Sequence, residues 1–133
     1  MQSETISRLR AVLLGLTGLG CLAYAVAALA MGRPDPVAWY WPSALGLASG
    51  GAIALASVAA GRSAARAAAD ELFRAVWGRA QGQAYWLSLA LFAALGFAAA
   101  TGAVGWATAY AAQGCLMGAA FLLLFVWHDL RLA

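Results

Sequence analysis

The chain has 133 residues, of which 65% are hydrophobic and only 10% charged, with a formal net charge of +3. A soluble domain carries about 25% charged residues. A chain this short has no interior large enough to hide so much apolar side chain from water, which excludes an ordinary soluble globule and points to lipid as the solvent. The eight basic residues are all arginines, and so small a positive excess predicts no direct nucleic-acid binding; it is read instead as topology information.

Met1–Arg10 is a polar tail with Glu4, Arg8 and Arg10. Ala11–Met31 is uncharged and apolar, matching the roughly 20 residues that cross a bilayer core. Arg8, Arg10 and the small-residue triplet Ala28-Leu29-Ala30 give it some look of a signal peptide. The run outlasts the ~7–15 apolar residues of such a peptide, so a retained span is expected. Gly32–Pro42 is a loop in which Pro34 and Pro36 oppose helix and Trp39, Tyr40 and Trp41 suit the headgroup level.

Residues 43–61 form the second apolar run, 84–104 the third and 107–127 the fourth, with a tight turn near Gly102–Trp106. All four runs are continuous and rich in Ala and Leu, without the alternation of a barrel strand. The expected fold is therefore all-α, an integral membrane four-helix bundle in one domain over 1–133. Arginines crowd the N-terminal tail (two) and the segment 62–83 (four), one lies in the C-terminal tail, and only Arg33 lies in the first loop. Because cytoplasmic loops are enriched in basic residues, both termini and 62–83 are expected to be cytoplasmic.

Gly46, Gly50, Ala54 and Ser57, spaced by three or four, make a small-residue stripe on the second helix, and Gly114 and Gly118 make a second one on the fourth. Close approach of small residues drives helix association in lipid. The first expectation is packing inside the bundle, the sharper one a homo-oligomer seam. Tyr24, Thr101, Tyr110 and Gln113 are polar groups within the apolar runs. Leaving Gln113 unpaired is the most costly, so a bond to another helix is expected. The sharper reading of this cluster is a pocket for a lipid headgroup or quinone.

Chemistry-bearing patterns are scarce. No Asp, Glu, Lys, Arg or His sits in the middle of any apolar run, His128 is the only histidine, and Cys21 and Cys115 have no partner at metal-ligand spacing. No phosphate loop, metalloprotease motif or nucleophile elbow occurs. A non-enzymatic protein without cofactor or metal is expected.

The segment 62–83 is the largest polar stretch. On a helix over Asp70–Gln81, Leu72, Phe73, Val76, Trp77 and Ala80 fall within an arc of about 140°. Asp70, Glu71, Arg74, Gly78 and Gln81 lie opposite, and Arg79 flanks the apolar edge. Asp70 and Glu71 suit the positive end of the helix dipole. Arg66, Asp70 and Arg74 are spaced for i,i+4 pairs, and Gly82 is expected to loosen the chain before the third membrane helix. Such a helix lies in the headgroup layer, extends a membrane helix, or offers Asp70, Glu71, Phe73, Arg74, Trp77 and Arg79 to a partner.

Asp70, Glu71, Arg74, Arg79, Ala80, Ala84 and Tyr85, within AADELFRAVWGRAQGQAYWLSLALFAALG, resemble a pattern in small bacterial four-helix membrane proteins of unknown function, the DUF2178-like group. The resemblance covers about 30 residues, on the order of one helical hairpin arm. Some members of that group resemble membrane partners of small helix-turn-helix regulators, so the resemblance implies a bacterial membrane protein whose central loop holds a DNA-binding protein at the membrane. The expectation is thus an accessory or regulatory membrane protein acting through 62–83. The alternative is a small oligomeric transporter or lipid- or quinone-binding bundle.

Overall fold

The computed structural model describes residues 2–132; Met1 and Ala133, assigned to the polar tails, lie outside the described residues. The described chain forms five helices: α1 (Gln2–Met31), α2 (Trp41–Ala60), α3 (Arg62–Ala68), α4 (Glu71–Ala100) and α5 (Trp106–Leu132). Four of them, α1, α2, α4 and α5, are long and apolar enough to cross a membrane.

Element boundaries depart from the expected ones where packing overrides local polarity. The N-terminal tail is not separate, because α1 is helical from Gln2 with Glu4 in its first turn and an Arg8–Glu4 pair at 2.6 Å one turn along. Helix α2 begins at Trp41 because Pro42 falls in the first turn, where its missing N–H leaves no bond unmade.

The largest departure is α4. The amphipathic stretch and the third apolar run are one continuous 30-residue helix, and Gly82 does not break it. Val76, Ala80, Ala84 and Ser88 are buried at four-residue intervals, so one stripe runs unbroken from the polar segment into the apolar run. A glycine costs a helix only about 1 kcal/mol relative to alanine, too little to interrupt a stripe held on both sides. Of the extensions weighed for 62–83, the third-helix extension is the one the fold adopts.

Helix α1 packs on both α2 and α5, α5 packs on α4, and α3 lies against α1 and α2. The long helices therefore follow one another in space as α2, α1, α5, α4. Close approach comes from α1, not from the α2 stripe. A Cβ on Gly18 would meet Leu123 and Leu122 of α5 at 3.0–3.2 Å, and one on Gly20 would meet Leu45 of α2 at 2.9 Å. Buried Thr17 and Ser49 hydrogen-bond across the α1–α2 seam.

Gly46 and Gly50 are exposed, and a Cβ on either would have nothing within 4 Å. Ala54 is also exposed, and Ser57 bonds back to its own helix at Ile53 O. Gly114 and Gly118 likewise have nothing within 4 Å of a Cβ. The expectation that these stripes pack the bundle is corrected: the glycines that let helices touch are Gly18 and Gly20, and the Leu45–Ser49 register turns the α2 stripe outward.

Candidate functional site

The two ends of the molecule are built differently. At the end holding α3 and the start of α4, Arg10 is a hub, only 8% exposed. It donates to Ala68 O at 2.8 Å and to Ser7 Oγ at 3.3 Å, and Asp129 lies 4.0 Å away. Its guanidinium lies 4.2 Å from the centre of the Phe73 ring and 5.6 Å from that of Phe125. One side chain thus ties together α1, α3, α4 and α5.

Below it Trp77 meets Phe121 at 4.6 Å and Phe125 at 5.5 Å, with Val76, Ala80 and Phe125 forming the buried centre. His128 Nε2 lies 2.7 Å from Gln83 Oε1, a further tie between α5 and α4. Part of the apolar face of the 70–81 helix, Val76 and Ala80, is therefore buried against Phe125, whereas Leu72 and Trp77 stay exposed.

This arrangement sorts the six residues expected at a partner surface. Phe73 and Trp77 are committed to the internal aromatic cluster. Asp70 is the N-cap of α4, its carboxylate accepting from Phe73 N at 2.9 Å. It forms no ion pair with Arg66 or Arg74 among the described residues, because the chain turns between α3 and α4 at that point. Glu71, Arg74 and Arg79 are exposed.

The other end is open. A cleft of about 1110 Å³ lies where the 32–40 loop, the start of α2, the end of α4 and the start of α5 converge on α1. Three of the four intramembrane polar residues picked from sequence, Tyr24, Tyr110 and Gln113, line it, whereas Thr101 does not and bonds to Phe97 O and Ala98 O of its own helix.

Tyr24 donates to Pro34 O at 2.9 Å and so pins the loop over α1. Gln113 Nε2 donates to Ser88 O of α4 at 3.0 Å, the interhelical bond expected for it. Gln113 Oε1 is buried with no partner. A buried acceptor left unpaired costs about 1–3 kcal/mol, so it marks a place where a donor is missing.

Sequence reasoning did not connect Asp35, Trp39, Trp106 or Phe92 to this cleft, although all four line it. The one available signal was Asp35 set between two prolines and close to an aromatic cluster. Cys21 and Cys115, which have no partner at metal-ligand spacing, are both free and both line the same space. No cluster of three or more His, Cys, Asp or Glu suited to a metal exists among the described residues. Comparison of the chain with protein-family models, curated proteins and solved structures found no match.

Proposed function

We propose that this is a non-enzymatic protein of a bacterial inner membrane, with four spanning helices and both termini cytoplasmic, that binds a membrane-soluble amphiphile in the cleft. The observation that carries the reading is the cleft of about 1110 Å³, walled by apolar and aromatic residues such as Phe92, Leu95, Trp39 and Trp106. Its volume is just above the roughly 300–1,000 Å³ usual for small-molecule sites, and its walls are mainly apolar and aromatic with few polar groups. The orientation rests on the arginines of the α1 start and of 62–83, which share the end away from the cleft.

Gly96 lines the cleft, and a Cβ there would have nothing within 4 Å, so Gly96→Phe fills the space without forcing the helices apart. Protein extracted gently from its membrane should carry a small amphiphile, detected by mass spectrometry, that the Gly96→Phe protein lacks. Identical bound molecules in both would sink the proposal.

A regulatory reading, in which 62–83 holds a protein partner, is supported by exposed Glu71, Arg74 and Arg79 on one end of α4. Its apolar anchor is reduced, since Phe73 and Trp77 already pack on Phe121 and Phe125, while Leu72 and part of Trp77 remain exposed. A soluble protein crosslinked in cells to the wild type, and lost in a Glu71→Ala/Arg74→Ala/Arg79→Ala variant, would favour it over the cleft.

A further inference from the structure

We infer that the occupant of the cleft is a lipophilic ammonium ion with no phosphate, and that Asp35 is its counter-ion. The inference rests on the amphiphile reading of the cleft and adds the ligand's charge. Asp35 is the only charged residue in the lining. Among the described residues it forms no ion pair, neither with nearby Arg33 nor with any other arginine. The lining of the cleft therefore carries a formal charge of −1 with no ion pair to it.

The Asp35 carboxylate is an acceptor that no arginine of the described residues pairs with. A cation carrying N–H donors suits such a lining, and an anion does not.

The aromatic residues point the same way. Trp39, Trp106 and Tyr110 line the cleft and are 75%, 67% and 85% exposed, so much of their ring surface is not covered by the rest of the protein. Ring faces attract an ammonium group through their quadrupole, most strongly where water is excluded. Phe92 and Leu95 extend the wall along α4 and supply apolar surface for a hydrocarbon body. A zwitterionic phospholipid fits less well. Its phosphate needs a basic donor, and no arginine lines the cleft.

The test uses full-length protein in phosphatidylcholine nanodiscs. Dodecylammonium, dodecanol and dodecyl sulfate are compared by equilibrium dialysis, each corrected for uptake by empty discs. Saturable binding of dodecylammonium about tenfold tighter than dodecanol, with dodecyl sulfate weakest, is expected. Asp35→Asn should bring the ammonium to the affinity of the alcohol and leave the alcohol unchanged. Asp35 sits in an exposed loop, and an unaltered melting profile of the variant will show that its fold is intact.

Equal saturable binding of all three probes would overturn the cation assignment while leaving the amphiphile reading in place. Displacement of every probe by added short-chain phosphatidylcholine would assign the cleft to a zwitterionic lipid and overturn it too. No saturable binding of any probe, in wild type and Gly96→Phe alike, would bring down the amphiphile reading with it.

Discussion

Arg10 shows how much a single side chain carries in a chain with so few charges. Its hydrogen bond to Ala68 O, its proximity to Asp129 and its stacking on Phe73 hold four helices at one point. Arg10→Ala takes the donor from the part-buried Ala68 carbonyl and the counter-charge from Asp129, and should lower unfolding free energy in mild detergent by ~2–3 kcal/mol. Arg10→Lys should recover little of this, because a compact ammonium lacks the planar fork that bonds a carbonyl while lying on a ring. Arg8→Ala is the control: Arg8 is 79% exposed in its pair with Glu4 and its loss should cost under ~0.5 kcal/mol. Thermal melts of the three variants check the order. An Arg10→Ala protein as stable as Arg8→Ala would show that the hub contributes nothing.

At the scale of elements, glycines separate the helix faces that touch from those that do not. A Cβ at Gly18 meets Leu123 at 3.0 Å, whereas one at Gly50 meets nothing within 4 Å. Gly18→Ala should push α1 from α5 and lower the melting temperature. Gly50→Ala should raise it slightly, since alanine favours helix by about 1 kcal/mol over glycine and nothing obstructs it. A fall in both would mean that the α2 stripe is covered in the membrane, and chemical crosslinking would then show whether a second copy covers it. The four apolar runs were readable because hydropathy over 20 residues depends on composition alone. The working face of each helix was not. Small residues mark both faces of α1 and α2, and only the register set by Leu45 against Gly20 and by Ser49 against Thr17 decides between them. The cleft was half readable. Gln113, Tyr24 and Tyr110 stand out as polar residues in apolar runs, but Asp35 lies in a loop, and nothing local places it against α5.

The whole molecule is tied at one end and open at the other. Arg10, α3 and the Phe73–Trp77–Phe121–Phe125 cluster fasten the first end, while at the cleft end Tyr24 bonds the loop at Pro34 and Gln113 bonds α4 at Ser88. Helix α2 leans on α1 and α3 at the edge of the row, and its start is separated from α4 and α5 by the cleft. Regions with few packed contacts open at the lowest free energy. The α2–α4 separation should therefore vary widely near the cleft and little near α3. Leu47 on α2 and Phe97 on α4 are exposed near the cleft, and Val58 and Leu72 are exposed near α3, so spin labels at these positions disturb no packing. With Cys21 and Cys115 replaced by alanine, pulsed electron resonance should give a broad distance distribution for Leu47→Cys/Phe97→Cys and a narrow one for Val58→Cys/Leu72→Cys. An amphiphile that occupies the cleft must order its walls, so adding a binding probe should narrow the first distribution and leave the second as it was. Two narrow distributions that ignore the probe would describe a rigid cleft, one that ligands enter without moving α2. A broad distribution at the α3 end would instead place the hinge at Gly61, where the backbone turns with φ 86 between α2 and α3, and would make Arg10 a local clamp rather than the fixed end of the molecule.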